Sequence, residues 1–359
     1  MFAALSVGLW AAQYSGALPM AYLAGSAWHA HEMLFGFALA VITGFLFTAV
    51  RNWTQRETPR GLLLAGYCVL WIAGRVLVLT PFATAAAIVN TAFPLAVAAG
   101  IAVPLLQSGN RRNYFFVALL TAIGVAAACV HLALMGVIDW PARVGLRAVL
   151  DLVLFIVAVV GGRVIPMFTN NGVPGAGARR LPWLEKLCLA ALLALLAADV
   201  AGLDRGAAFV AAIAALAHGT RLALWHPWKT TRNPLVCILH AAYAWIPIHL
   251  ALRAFAALSW VPDTLATHAL TIGVIGGMTL GMMTRTARGH SGQPLVAGRA
   301  EVASYLLVMA AAVVRVFGAW LAPAWHIESV VASAALWSSA FAIYAIRYAP
   351  MLVLKPEVS

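Results

Sequence analysis

Residues 28–54 read WHAHEMLFGFALAVITGFLFTAVRNWT. Their interior, 30–50, is an apolar run of the length a helix needs to cross ~30 Å of hydrocarbon. Two histidines and a glutamate crowd its start, and Arg51 follows its end. Outward from this stretch the same pattern recurs at 2–12, 61–80, 83–106, 113–136, 142–165, 182–202, 206–225, 234–258, 263–284, 300–321 and 326–348. The expected fold is all-α: a polytopic transmembrane bundle of about twelve helices, one domain over 1–359, with short loops. The run at 2–12 is too short to cross a bilayer. It is expected to be a half-span, or the end of a helix whose earlier residues precede Met1. No basic stretch precedes it, so it does not read as a signal peptide.

Composition supports this reading. The chain has 359 residues, 64% hydrophobic and 9% charged. A soluble domain carries roughly 45–50% apolar and about 25% charged residues, and disorder needs low hydrophobicity. Both are excluded. The net charge of +12 suggests a nucleic-acid partner only in a soluble protein. Here it reads as a topology signal, with no nucleic acid implied. Cys68, Cys129, Cys188 and Cys237 lie in apolar runs without CxxC spacing, which points to neither a disulfide framework nor a zinc ribbon.

The loops set an expected orientation. Arg51, Arg56, Arg60, Arg111, Arg112, Arg163, Arg179, Arg180, Lys186, Arg221, Lys229, Arg232, Arg285, Arg288, Arg299, Arg347 and Lys355 fall in or beside alternate loops and the C-terminus. The other loops are short and carry Asp139, Asp199, Asp204, Asp263 and Glu328, with Arg143 and Arg205. The positive-inside rule puts the basic set, and with twelve spans both termini, in the cytoplasm. Trp28, Trp53, Trp140, Trp183, Trp228 and Trp260 read as an interfacial belt.

Charges inside spans are costly and need a reason. Arg75, Arg147, Arg253 and Arg315 lie in four different runs, each roughly 7–11 Å from the outer end at 1.5 Å per residue. Snorkelling accounts for any one of them, and Arg147 has Asp151 at i+4. Four at one depth also suit a buried anion, such as haem propionates. Of ten histidines, His29, His31, His131 and His268 are expected at that same depth. Imidazole is a common ligand of haem iron and copper. At 100° per residue, His29 and His31 point about 200° apart, so they suit two different metals better than one. Glu32, at i+3 from His29, could orient that ring or simply favour the helix N-terminus. The glycine-rich GVIGGMTLGMM at 273–283 reads as close helix packing.

Four blocks resemble the NnrS family of bacterial membrane proteins: residues 28–54 above, GGRVIPMFTNN at 161–171, PLVCILHAAYAWIPI at 234–248, and HALTIGVIGGMTLGMMTRTARGHSGQPL at 268–295. The resemblance implies a multi-pass protein of the bacterial inner membrane that contains haem, b-type by expectation, and copper. It further implies a role in the response to nitric oxide and nitrosative stress. By family pattern the metal-binding histidines are His29, His31, His240, His268 and His290, with His131 fitting less distinctively. His218, His226, His249 and His326 match no family position and read as structural.

Two functions follow as expectations. One is a site in the bilayer where nitric oxide, an apolar gas, is bound or reduced; reduction requires an electron donor. The other is a transporter or metal- and haem-handling protein, its broken helices serving as gates.

Overall fold

The computed structural model describes residues 1–14 and 22–353, so Lys355, counted above with the basic side, lies outside the described residues. Twelve helices account for nearly all of them, and no strand occurs among the described residues. They are α1 (Phe2–Tyr14), α2 (Gly25–Thr54), α3 (Gly61–Leu77), α4 (Ala83–Ser108), α5 (Phe115–Leu134), α6 (Ala142–Gly172), α7 (Pro182–Val200), α8 (Asp204–Ala223), α9 (Pro234–Ala257), α10 (Asp263–His290), α11 (Arg299–Leu321) and α12 (His326–Val353). Each matches one apolar run of the sequence.

Nine of the twelve are long and apolar enough to cross a membrane. The others are instructive. α1 has 13 residues, about 20 Å at 1.5 Å per residue. α3 has 17. α7 has 19 but carries Glu185, Lys186 and Asp199. Local chemistry sets the boundaries. α4 ends at Gly109, whose φ of 64° suits a residue without Cβ. α7 and α9 begin with Pro182 and Pro234, where the missing N–H costs nothing. The Glu301 carboxylate accepts from the Gly298 backbone N–H at 2.9 Å to open α11.

Three helices contain π-helical stretches: Glu32–Ala38 in α2, Ala269–Gly276 in α10 and Val314–Gly318 in α11. These wider turns cluster at functional sites in proteins generally. The chain forms two compact units, Phe2–Ile156 and Val157–Ser359, the boundary falling inside α6. In the first, α4 packs along α5 and α3; in the second, α9 packs along α8, and α11 along α12. All four cysteines are unbridged. Apolar side chains such as Leu62, Val69, Ile72, Phe209 and Leu216 are exposed, as on helices that face lipid.

Trp28 departs from the expected belt. It is 1% exposed and packs with Leu23, Val78 and Ala86. Trp183, Trp228 and Trp260 are exposed.

Candidate metal centre

The opening stretch supplies the core of the first site. α2 runs as α-helix to His31, then widens into the π-stretch from Glu32. The Leu39 N–H reaches back five residues to the Leu34 carbonyl. His31 and Glu32 are each 1% exposed. The His31 Nδ1–H donates to Glu32 Oε1 at 2.8 Å. His31 Nε2 faces His131 Nε2 from α5 at 3.2 Å. His131 is fully buried, and its Nδ1 lies 3.0 Å from the Tyr22 hydroxyl. Tyr22 also directs its O–H toward the His131 carbonyl, 3.4 Å away.

The proton count on this pair is informative. A carboxylate only accepts, so Glu32 places the proton of neutral His31 on Nδ1 and leaves a lone pair on Nε2. If the tyrosine hydroxyl points at the His131 carbonyl, it accepts from His131 Nδ1–H. The second Nε2 then also carries a lone pair. Two lone pairs 3.2 Å apart in a buried site ask for a cation between them. Metal-bound histidines show this arrangement, with the far ring nitrogen held by a carboxylate or another oxygen. Two imidazoles on one tetrahedral ion, with ~2.0–2.1 Å bonds, stand roughly 3.3–3.4 Å apart. The pair thus fits a single ion with a bent ligand set. The two faces of one porphyrin would need about twice the bond length, ~4 Å.

Arg75 completes the cluster. It projects from α3, its Nη1 3.3 Å from Glu32 Oε1, and its Nη2 donates to Asn90 Oδ1 of α4. Asn90 Nδ2 in turn donates to the Ala86 carbonyl at 2.9 Å. The guanidinium also lies 5.9 Å from the Trp71 ring centre. Two glycines make room. A Cβ on Gly36 would stand 2.7 Å from Arg75 Nη1, and one on Gly74 would stand 2.9 Å from Asn90 Oδ1. Glu32 Oε2 and Arg75 Nε are buried without a hydrogen-bond partner among the described residues. The cluster thus keeps polar capacity in reserve.

The other expected residues are placed as follows. His29 is half-buried, its ring 5.1 Å from that of Trp10, so the two histidines of HAH do face different neighbours. The spacing offered Glu32 to His29; in the structure Glu32 Oε1 is the acceptor for His31. Arg147 is half-buried on α6. In the second unit, Arg253 of α9 donates to Asp199 Oδ2 of α7, and Arg315 lies in the π-stretch of α11. The His268 Nδ1–H donates to the Thr264 carbonyl at 2.7 Å, and the His249 Nδ1–H to the Ala266 carbonyl at 2.7 Å. A carbonyl cannot donate, so both rings carry the proton on Nδ1 and present Nε2 as base. His290 is exposed at the end of α10.

His240 is 2% exposed, with Nε2 2.7 Å from Thr169 Oγ1 of α6. Thr169 sends its own hydroxyl proton to the Ile165 carbonyl at 2.7 Å. His240 therefore donates from Nε2, and its Nδ1 is a buried lone pair without a partner among the described residues. Among the described residues, no three His, Cys, Asp or Glu side chains gather as a metal cage.

Sequence reading missed a second buried polar cluster. Arg221, counted there as a cytoplasmic loop marker, is 1% exposed. α8 continues to Ala223, so Arg221 sits in its last turn and points inward. It grips Glu185 of α7 through Nε to Oε1 at 2.9 Å and Nη2 to Oε2. Its Nη1 donates to the Ala158 carbonyl at 3.0 Å and to the Tyr243 hydroxyl at 2.9 Å. Gly162 is the notch that admits it: a Cβ there would stand 1.6 Å from Arg221 Nη2. The one available signal was the pair of adjacent glycines in GGRVIP. Tyr22 and Asn90 were also missed; Asn90 is a lone amide inside an apolar run.

One family profile, described as NnrS protein, matches residues 1–355. No curated protein matches the chain.

Proposed function

The chain belongs to the NnrS family, and from that premise we propose that it is an inner-membrane haem and copper protein of the nitric oxide response. The observation that carries the reading is the buried pair His31–His131, with Nε2 atoms 3.2 Å apart and both outer ring nitrogens held. Its spacing suits a copper ion better than haem. His240 and His268 of the second unit are the candidates for haem ligation, since each presents an unprotonated ring nitrogen. Bound copper would supply a one-electron centre able to bind or help reduce nitric oxide.

The chain's own residues do the rest. Glu32 fixes the His31 tautomer and raises its basicity as a ligand. The Arg75 guanidinium, 3.3 Å from Glu32 Oε1, favours the ionised form of that carboxylate. Apolar helices let a neutral gas reach the site through lipid while holding back bulk water. Arg75 and Arg147 in the first unit, and Arg253 and Arg315 in the second, remain candidates for contact with haem propionates. Arg75 and Arg253 already have carboxylate partners, Glu32 and Asp199.

The test is metal analysis and absorbance of the purified protein, reduced and then exposed to nitric oxide. Stoichiometric copper lost in His31→Ala and His131→Ala, and a Soret band lost in His240→Ala or His268→Ala, are expected. Protein that carries neither haem nor copper overturns the reading, and substrate uptake by such protein in liposomes would favour the transporter.

A further inference from the structure

The cluster around Arg221 is not used by the metal reading, yet it is built with care. Tyr243 of α9 and His218 of α8 are both fully buried. The Tyr243 oxygen lies 2.7 Å from His218 Nδ1. Arg221 Nη1 donates to the same oxygen at 2.9 Å, and arginine has no lone pair to accept with. His218 Nδ1 is then the acceptor for the phenolic proton, and neutral His218 carries its own proton on Nε2. The Trp225 ring lies tilted against Tyr243, their centres 4.6 Å apart, with the Arg221 guanidinium 5.2 Å from the Trp225 ring centre. Glu185 balances the charge of Arg221 and is shared with Arg180. Gly161 lies against the tyrosine ring, where a Cβ would just touch it at 3.4 Å.

A phenol whose proton is already committed to an imidazole can lose an electron without building a cation on its ring. We infer that Tyr243 and His218 form a proton-coupled redox pair that donates one electron to small lipid-soluble radical oxidants such as nitrogen dioxide. In that step the Tyr243 O–H bond breaks and an H–Nδ1 bond forms on His218. The electron passes to nitrogen dioxide, which becomes nitrite. Tyr243 is left as a neutral phenoxyl radical, and the imidazolium charge on His218 balances the nitrite. The groups facing the pair are Glu185 and Cys188 of α7, Arg221 of α8, and the Ala158 carbonyl of α6. None of this depends on copper or haem.

The test therefore uses full-length protein in detergent, freed of copper by chelation and exposed to photochemically generated nitrogen dioxide, then frozen for electron paramagnetic resonance. A neutral tyrosyl signal is expected, narrowed when the protein is labelled with ring-deuterated tyrosine. Tyr243→Phe should lose most of it, while Tyr67→Phe should keep it. His218→Gln should shorten its lifetime and abolish its coupling to an exchangeable proton. An undiminished signal in folded Tyr243→Phe overturns the inference. Should that variant not fold, an unchanged lifetime and unchanged proton coupling in His218→Gln overturn it equally. The readout is the tyrosyl radical at Tyr243 and not a metal signal, so failure here leaves the metal reading standing, and the reverse.

Discussion

Gly162 and Gly66 are both helical glycines, and their surroundings set opposite expectations. At Gly162 a methyl group would land on the Arg221 guanidinium; at Gly66, exposed on α3, nothing lies within 4 Å. Gly162→Ala is expected to break the grip of Arg221 on Glu185 and cost about 3 kcal/mol or more, since a broken buried ion pair costs roughly 3–5 kcal/mol. Gly66→Ala is expected to be neutral or to stabilise by up to ~1 kcal/mol through loss of unfolded-chain freedom. Thermal unfolding in detergent checks both, and equal melting temperatures would refute the notch. Arg253 makes the same point. It and Asp199 are a buried pair, so Arg253→Met alone should destabilise by about 3–5 kcal/mol, whereas adding Asp199→Leu should recover much of the loss. A strictly additive double variant would show that the two do not interact.

At the scale of elements, the π-stretches are what a 3.6-residue reading cannot see. The apolar run from 30 to 50 is legible as one helix whether or not seven of its residues are π-helical. The extra residue per wide turn leaves carbonyls to be satisfied sideways, and the Trp71 indole N–H takes that of Gly36 at 2.9 Å. Deleting Met33 should let the stretch relax to regular α-helix and turn everything N-terminal to it by about 100°. The expected result is unchanged helicity by circular dichroism with loss of copper binding. Copper retained at full stoichiometry would mean that the register of this turn is irrelevant to the site.

For the whole molecule, charge distribution and fold make separate claims. Helix order and extent agree with the apolar runs because burial in lipid demands long uncharged segments whatever their partners. Orientation rests on the basic loops alone. Reporter fusions after Gly109, Gly175 and Gly292 should report one side of the membrane, and fusions after Gly136 and Gly202 the other. A mixed pattern would reject the twelve-span arrangement. The basic residues must also be divided differently from a simple loop count, because Arg221 is interior.

The amino-acid sequence by itself determined the all-helical membrane class, most helix boundaries, and a family, although α6 and α10 run on to Gly172 and His290, past the apolar runs that end at 165 and 284. Periodicity, hydropathy and short motifs are local properties, and lipid imposes them segment by segment. It also picked out His31, Glu32, His131 and Arg75 as costly residues needing a reason. Only the tertiary structure decided which of these meet: residues 31, 75, 90 and 131 come from four helices, and no spacing rule relates them. It also moved Arg221 from surface to core and revealed the pairing of Tyr243 with His218. A buried polar group survives only where partners from other helices satisfy it, and that pairing is written in packing, not in sequence order.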